Sequence, residues 1–314
     1  MSAPGKRRSR IHEGLVGPRA LVGTPYLADA GLRADYAAEI APRTAAMLTR
    51  IFDLHVPGLV PRRVLDLGAG TGIVAHTLRA RFGTGLEVVT VDRVAGPGIT
   101  VVADLSRSGL PEGVRGRFDL IVAAHLLNEF ASHEPSVRAE RVRSWLASWL
   151  APEGHLLIIE PALKETSRAL LQVRDHLVAA GAFVVAPCLT QAPCPALAHP
   201  RDWCHDSAPR AQNTRADFSY LVIAPQGTAP RDPTWLRVVS DLKKEKGRTK
   251  WFGCGLEGRT AFELQTRDVT SQNEAFLRLE RGRLCRVTQA TPSGTGQRIG
   301  PDALVTQVAP SSRA

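Results

Sequence analysis

The sequence predicts an α/β protein built on a doubly wound sheet, with a helical leader before the sheet and a small β-rich domain after it. From Arg62 onward, short apolar runs alternate with stretches of helical period, which is typical of a parallel sheet covered by helices. Beyond Pro225 the helical pattern ends, and short β-branched runs separated by glycines replace it. The 314 residues therefore divide into a leader at 1–60, a sheet domain at 61–226 and a C-terminal domain at 227–314.

The composition is that of a globular chain with an excess of positive charge. Hydrophobic residues make up 44% and charged residues 22%, and 40 basic against 30 acidic residues leave a net charge of +10. No apolar run approaches the ~20 residues of a membrane-spanning helix, so we expect no membrane partner. The basic start, Met1 to Arg10, is not followed by an apolar run. It indicates a solvated arm or a weak organellar signal, not a secretory signal. The oligomeric state stays open.

The leader has the apolar spacing of helices. The residues that carry this period are Tyr36, Ile40, Met47, Leu48, Ile51 and Phe52. Pro42 interrupts the period, which predicts a break between two helices. We expect the leader to pack beside the sheet domain.

A glycine-rich turn organises the sheet domain. The apolar run at 63–67 predicts the first strand, and the period that begins at Ile73 predicts a helix at 73–82. Glycine permits positive φ angles and leaves no Cβ between the main chain and a ligand, and a helix N-terminus presents unpaired N–H groups. A dinucleotide fingerprint would place its last glycine at position 73, so the D-x-G-x-G-x-G spacing from Asp66 to Gly72 indicates a different nucleotide. The alternative is a turn that only joins strand to helix.

Two acids end the next two strands. Glu87 to Asp92 predicts the second strand, and 99–102 predicts a short third strand that is followed by Asp104. An acid about twenty residues after a glycine turn suits the hydroxyl groups of a ribose. Asp92 is the candidate for that role, and the alternative is a surface acid that ends a strand.

The loop after the fourth strand carries polar residues. Residues 118–124 predict this strand, and His125, Asn128 and Glu129 follow it at the sheet edge where open α/β sheets bind ligands. Two patterns known from enzymes that act on nucleobases, an Asn/Asp-Pro-Pro-aromatic stretch and a nearby cysteine nucleophile, are both missing from this part of the sequence. The three polar residues position a substrate or cap the loop, and no catalytic residue is assigned.

The remaining elements of the sheet domain alternate in the same way. They are a helix at 134–150, a strand at 155–160, a helix at 164–180 that stops at Gly181, and strands at 183–186 and 218–224.

A cysteine-rich insertion at 187–215 separates the sixth and seventh strands. It contains three of the five cysteines, Cys188, Cys194 and Cys204. It is too rich in proline to continue the sheet, and a long loop without regular structure favours a metal. Cys254, between two glycines, is available as a fourth ligand, and His205 as a zinc alternative. No pair has the C-x₂₋₄-C spacing of zinc sites, so spacing leaves zinc, an iron–sulfur cluster and unliganded thiols open. Cys285 lies in an alternating strand and is interpreted as a buried apolar residue.

The glycine turn resembles motif I of class I S-adenosylmethionine (SAM) methyltransferases. The resemblance implies a Rossmann-like sheet of seven strands with SAM bound at the turn. Asp66 would then lie near the amino group of SAM, Asp92 near its ribose and Asp104 near its adenine. The cofactor-binding residues expected on this basis are Asp66, Gly68, Gly70, Gly72, Asp92, Asp104 and His125.

Over residues 25–290 the chain is similar to the methyltransferase-like proteins of the mitochondrial small ribosomal subunit and their bacterial relatives. The motifs that carry the similarity are the Asp66–Gly72 turn, His125–Glu129, Pro-Cys…Cys-Pro…Asp-Trp-Cys-His, Asp217–Leu221 and the late Cys254. The resemblance implies that Cys188, Cys194, Cys204 and Cys254 ligate a [4Fe–4S] cluster. It also implies rRNA of the small subunit as partner or substrate, with a cytoplasmic location in a bacterium and a mitochondrial one in a eukaryote.

The C-terminal domain shows strand-like runs and a basic cluster. The runs are at 235–239, 260–265, 284–288 and 303–308. The basic residues are Arg237, Lys243, Lys244, Lys246, Arg248 and Lys250. A β module with a positive face suits an RNA backbone. Trp235 and Trp251 flank the cluster and either stack on bases or fill the core.

Three functions follow from these patterns. The first is a SAM-dependent, rRNA-directed methyltransferase or assembly factor of the small ribosomal subunit. The second is a non-catalytic RNA-binding assembly factor. The third is a small-molecule SAM methyltransferase whose cysteines hold structural zinc.

Overall fold

The computed structural model describes residues 9–107, 109–130, 134–211, 214–227 and 232–309. Most of the predicted basic arm lies outside these residues, as do residues 228–231 at the start of the predicted C-terminal domain. Among the described residues, no helix has the length and apolar character needed to span a membrane.

The leader forms three helices. They are α1 (Arg10–Val16), α2 (Ala30–Glu39) and α3 (Ala41–Leu54), with a 3₁₀ turn at Tyr26–Ala28. Pro42 lies in the first turn of α3, where its missing N–H removes no helical hydrogen bond. Because α2 ends just before this proline, the predicted break between two helices is confirmed.

In its described residues, the sheet domain contains eight strands and three α-helices. The strands are β1 (Arg63–Leu67), β2 (Glu87–Asp92), β3 (Val101–Val102), β4 (Phe118–Ala124), β5 (Leu150–Pro161), β6 (Phe183–Ala186), β7 (Asp206–Pro209) and β8 (Arg215–Ala224). The helices are α4 (Ile73–Phe82), α5 (Pro135–Trp149) and α6 (Lys164–Ala179).

Seven of the strands form one path in the order β3-β2-β1-β4-β5-β8-β6, and β7 pairs with β8 beside that path. β1 to β5 run parallel to one another, whereas β8 is antiparallel to both β5 and β6. This topology is the doubly wound, seven-stranded sheet that the sequence predicts, and the fold class is confirmed.

One detail of the insertion was predicted wrongly. The sequence suggests a segment without regular structure, yet Asp206 to Pro209 forms β7 and pairs with Arg215 to Phe218 of β8. A proline at the end of an edge strand removes no ladder bond that the strand needs, which explains why Pro209 is tolerated. The seventh strand of the path therefore begins at Arg215, three residues before the predicted start.

Side chains of the strands alternate between two cores, one on each face of the sheet. Leu65 of β1 packs with α5 and α6 around Trp145, whereas Val64 packs with α3 and α4 around Phe52. The leader helix α3 therefore covers one face of the sheet.

The C-terminal domain is a second, eight-stranded sheet. Its strands are β9 (Trp235–Val238), β10 (Lys243–Glu245), β11 (Arg248–Gly255), β12 (Gly258–Gln265), β13 (Leu284–Thr288), β14 (Thr291–Ser293), β15 (Gly296–Ile299) and β16 (Leu304–Val308). Trp251 is fully buried and stacks on Phe262 with ring centroids 4.8 Å apart, so core packing is the use of this tryptophan. Cys285 is also fully buried in this core, as predicted.

Candidate functional site

Two cavities lie along the carboxyl edge of the first sheet. The glycine turn follows β1, the His125 loop follows β4, and Cys188 follows β6. These three strands run in the same direction, so their carboxyl ends meet at one edge, which is where open α/β sheets bind ligands. The first cavity is the glycine-turn pocket and the second is the cysteine cavity.

The glycine-turn pocket occupies about 650 Å³, its open mouth included. Of the predicted cofactor-binding residues, the structure brings five together in its lining: Gly68, Gly70, Asp92, Asp104 and His125. Asp66 and Gly72 are not part of the lining.

The two glycines in the lining leave the main chain bare. Gly68 has φ +74° and Gly70 has φ +54°, both in the region that favours glycine. A Cβ on Gly68 would lie 3.1 Å from Leu126 Cδ1, and one on Gly70 would lie 3.2 Å from Leu27 Cδ1. A side chain at either position would fill space that the pocket now leaves open.

Asp92 fixes the glycine turn against the end of β2. Its Oδ2 accepts a hydrogen bond from the Gly70 N–H at 2.8 Å, and its Oδ1 accepts one from the Val94 N–H at 2.9 Å. A carboxylate oxygen has a second lone pair, so Asp92 retains acceptor capacity for a ligand hydroxyl. Asp104 is held in a similar way, because its Oδ1 accepts hydrogen bonds from the N–H and the hydroxyl of Ser106.

Asp66 is fully buried on β1, and neither of its carboxylate oxygens has a hydrogen-bond partner among the described residues. Burial, and then the neighbouring charge of Asp92, raise the pKa of Asp66 to about 8. A cation placed near this carboxyl would favour its ionised form.

The loop after β4 contributes His125 and Glu129. His125 has φ +58°, which is unusual for a residue with a Cβ, and its Nε2 lies 3.2 Å from Thr44 Oγ1 of α3. Burial lowers the pKa of His125 to about 4, so the imidazole is neutral at pH 7. Glu129 accepts a hydrogen bond from the Tyr26 hydroxyl at 3.1 Å and pairs with Arg93.

The leader closes over this pocket, which the sequence did not reveal. Arg19 Nη2 donates to Asn128 Oδ1 at 2.7 Å, and Arg93 Nη1 donates to the Gly23 carbonyl at 2.7 Å. Leader residues in the lining include Tyr26, Leu27 and Tyr36. Their apolar spacing indicates helices but carries no information on which part of the sheet they contact.

The pocket is acidic. Asp92, Asp104 and Glu129 line it, and Arg93 is the one cationic side chain among the described residues of the lining. An excess of carboxylates in a partly closed site favours a positively charged ligand.

The cysteine cavity occupies about 830 Å³, its mouth included. All four predicted ligands line it: Cys188, Cys194, Cys204 and Cys254. They come from the end of β6, from the insertion and from β11 of the second sheet. The cavity therefore lies where the two domains meet.

Helix α6 holds the insertion in place. Arg174 is fully buried and donates to the carbonyls of Thr190 and Ala192, and Asp175 accepts hydrogen bonds from the Cys194 N–H at 3.0 and 3.1 Å. Nearly two turns earlier, Arg168 Nη1 donates to the Ala196, His199 and Asp202 carbonyls. Helix α6 therefore anchors the insertion at several points.

A buried polar chain joins the second domain to the first. Arg237 of β9 donates to His55 Nδ1 at 2.9 Å, and His55 Nε2 lies 2.7 Å from Asp206 Oδ2. A guanidinium only donates, so Nδ1 accepts and Nε2 carries the proton that Asp206 receives. Arg50 of α3 lies 3.2 Å from the other oxygen of Asp206. Burial lowers the pKa of His55 to about 4, so its imidazole is neutral at pH 7. The charged groups of this buried polar chain are therefore two arginines and one carboxylate.

The donor set of the cavity is thiol-rich and its wall is cationic. All five cysteines are among the described residues, and none forms a disulfide. Burial raises the pKa of Cys194 to about 12 and that of Cys254 to about 11, while Arg174, Arg237 and Arg259 line the same cavity. Among the described residues, no three His, Cys, Asp or Glu side chains are arranged to hold a single metal ion.

Comparisons with known proteins place the chain in a family. Residues 32–276 match the family model described as mitochondrial small ribosomal subunit Rsm22. No curated protein matches the chain.

Solved structures of methyltransferases are similar at low identity. The DhpI–SAH complex is 18% identical, covers 67% of this chain and 97% of its own, and has a TM-score of 0.40. A SAM-dependent methyltransferase of Leishmania major is 13% identical, with coverage of 69% and 87% and a TM-score of 0.41. Human N-acetylserotonin methyltransferase in complex with SAM is 16% identical, with coverage of 70% and 63% and a TM-score of 0.35.

Proposed function

The chain belongs to the Rsm22 family, and from that membership we propose that it is a SAM-binding, methyltransferase-like protein that acts on or assembles the small ribosomal subunit. The observation that carries the proposal is the meeting of bare glycine main chain with Asp92 and Asp104 in one pocket at the carboxyl edge of the sheet. Acids that end successive strands beside a glycine turn form a site for a nucleoside.

The pocket fits SAM in its chemistry. Gly68 and Gly70 leave room for the methionine part, Asp92 retains lone pairs for the ribose hydroxyls, and Asp104 of the same lining is the proposed contact for the adenine. Asp66 is buried behind the lining on β1, and its carboxyl would become ionised near the charged amino group of bound SAM. Bound SAM supplies a methyl group on a positively charged sulfur, and the carboxylates of this pocket favour that charge.

The residues around the pocket bear on whether methyl transfer follows. His125 is a weak base because its pKa is about 4, and Glu129 is occupied by Tyr26 and Arg93. Among the described residues of the lining, neither side chain is suited to take a proton from an acceptor at neutral pH. This favours, as a second candidate, an assembly factor that binds SAM without methylating RNA, and the closure of the leader over the pocket agrees with it.

For the cysteine cavity we propose a [4Fe–4S] cluster ligated by Cys188, Cys194, Cys204 and Cys254. The four thiols line one cavity and cationic side chains line it with them, which suits an anionic thiolate-ligated group. Among the described residues no three His, Cys, Asp or Glu side chains are arranged to hold a single metal ion, so the proposal rests on the four thiols sharing one cavity and on the family resemblance. When bound, the cluster would tie β11 to the insertion.

The small-subunit partner is proposed from the family description. The same description refers to mitochondria, which is the location we propose for a eukaryotic member, whereas a bacterial member would work in the cytoplasm. The ribosomal RNA is the component that the basic C-terminal domain suits best.

One preparation tests these proposals. Protein purified without oxygen is analysed for iron, acid-labile sulfide and zinc, and is then titrated calorimetrically with SAM. We expect equal amounts of iron and sulfide, and a saturable heat of SAM binding. Absence of SAM affinity would remove the cofactor proposal, whereas zinc without sulfide would remove the cluster and restore the small-molecule alternative. Crosslinking in cells followed by sequencing of the attached RNA tests the ribosomal partner separately.

A further inference from the structure

The positive charge of the chain is concentrated outside the sheet domain. Residues 61–226 carry 17 basic and 16 acidic residues, whereas residues 227–314 carry 15 basic and 9 acidic residues. The sheet domain is therefore close to neutral, and the C-terminal domain is where a polyanion would be attracted.

Most of this charge is already neutralised within the domain. In the described part of residues 232–309, every arginine except the buried Arg237 forms an ion pair with a carboxylate. The paired residues are Arg248, Arg259, Arg267, Arg278, Arg281, Arg283, Arg286 and Arg298, and Lys250 joins them. A count of basic residues thus overstates the charge that a partner would meet.

Three lysines are the exception. Lys243, Lys244 and Lys246 are exposed, and in the part of the chain that the structure describes they have no ion pair. They lie in one hairpin, in which β10 and β11 are joined by the two residues Lys246 and Gly247. Gly247 has φ +77°, in the left-handed region that glycine adopts readily.

The pairing of the hairpin brings like charges together. Lys243 lies directly opposite Lys250 in the β10–β11 register. Facing ammonium groups destabilise a strand pair. Lys250 is relieved by Glu245 and Glu263, whereas Lys243 is not. An added anion at this hairpin would therefore relieve repulsion as well as form new contacts.

We propose that this lysine hairpin, residues 243–248, is the surface through which the protein binds the phosphate backbone of RNA. The inference deepens the proposed function and rests on it, because it names the contact surface for the ribosomal RNA. Lysine is a compact cation that binds phosphate as a point charge, and each phosphate contact releases condensed counterions. All six residues of the hairpin, 243 to 248, are exposed, so a backbone can reach them without rearrangement of the domain.

The experiment compares two triple variants that remove the same charge from the same domain. One is Lys243→Gln, Lys244→Gln, Lys246→Gln. The matched control is Arg267→Gln, Arg278→Gln, Arg286→Gln, three exposed arginines that are already paired with acids. Binding to a helical fragment of small-subunit rRNA is measured by fluorescence anisotropy from 50 to 300 mM KCl, and circular dichroism confirms that both variants fold.

We expect the lysine variant to bind at least about tenfold more weakly at low salt, with the slope of log Kd against log salt reduced by about two to three. The control should stay within about twofold of the wild type, and SAM affinity should be unchanged in both. Equal weakening of the two variants would overturn the hairpin assignment and leave only a net-charge effect. Wild-type protein that fails to bind the RNA would overturn the ribosomal partner as well.

Discussion

The glycine-turn pocket and the cysteine cavity share one edge of one sheet but are assembled differently. The pocket is organised by a short motif between β1 and α4, with acids at the ends of adjacent strands. The cavity draws its four thiols from residues as far apart as Cys188 and Cys254, and it exists only because the second sheet is docked on the first. A site built from one short motif is fixed by the fold of its own domain. A site built from residues far apart in sequence depends on contacts between domains. The two sites should therefore respond to different mutations.

The largest effect is expected from Gly70→Arg. A Cβ at this position already lies 3.2 Å from Leu27 Cδ1, and the rest of the arginine would occupy the pocket. We expect SAM affinity to fall more than 100-fold by calorimetry, with iron content unchanged.

The matched control is Gly85→Arg, where a Cβ has open space and φ is not positive. Loss of iron in Gly70→Arg, or loss of SAM binding in Gly85→Arg, would contradict the independence of the two sites.

The reciprocal change is Cys194→Ser. Removing one thiol should abolish stable cluster incorporation, measured as iron and sulfide per chain, and it should loosen β11 from the insertion. We expect RNA affinity to fall about tenfold and SAM affinity to change less than threefold. Cys285→Ser is the control, because Cys285 is buried in the C-terminal core and does not line the cavity. Equal loss of RNA and SAM binding in Cys194→Ser would show that the two cavities are one unit.

The docking of the domains is tested by Asp206→Ala. This change leaves the Arg50 Nε–H and the His55 Nε2–H buried without the acceptor that Asp206 supplies, and breaking a buried pair in this way costs about 3–5 kcal/mol. Denaturant unfolding should show that loss, and proteolysis should cut the linker before β9 sooner. Asp217→Ala is the control, since its pairing with Arg215 is more exposed. A variant as stable as the wild type would show that the buried polar chain does not hold the two domains together.

The buried polar chain also makes the stability of the protein depend on pH. The folded pKa of His55, about 4, lies below its unfolded value near 6.5, so the unfolded state binds more protons between these values. Stability should therefore fall as pH drops from 6.5 toward 4. His55→Gln should flatten this part of the profile.

The smallest effect is expected from Asp66→Asn, next to the glycine-turn pocket. The pKa of Asp66 is raised to about 8, so the free protein keeps a proton there and its stability falls as pH rises from about 4 through 8. Asp66→Asn removes this dependence, so we expect the variant to become more stable relative to the wild type as pH rises from 5 to 8. The same variant should bind SAM several-fold more weakly, because the amino group loses its carboxylate. Weaker stability at pH 8 would refute the burial argument.

The sequence predicted the sheet domain well because its strands are apolar and its turns carry glycine. β1, β2, β4 and β6 have the predicted limits, and the three predicted helices of this domain are correct to within one residue at each end. The C-terminal domain was harder to predict. β11 buries Thr249, Trp251, Gly253 and Gly255 on one side, and only the tryptophan is recognisably apolar in sequence.

Site residues that depend on local spacing were predicted, whereas those that depend on contacts with distant segments were missed. Gly70 and Asp92 could be predicted because their roles depend on spacing within forty residues, and both line the pocket. Tyr26 and Arg19 were missed because a leader helix pattern shows which side is apolar but not which loop it meets. The role of Arg237 was also missed. It was counted in a basic surface cluster, whereas it is buried in the polar chain between the domains.

Helix α3 limits how this polypeptide can be cut into domains that are moved into other proteins. One side of it covers the sheet through Leu48 and Phe52, Thr44 near its start lies against His125, and Arg50 with the adjoining His55 reaches Asp206. Residues 61–226 produced alone would expose the apolar face of the sheet that α3 covers. His125 would lose its contact with Thr44, and Asp206 would lose Arg50 and His55. A transplant of the nucleoside site into another scaffold would therefore have to include the leader from the outset.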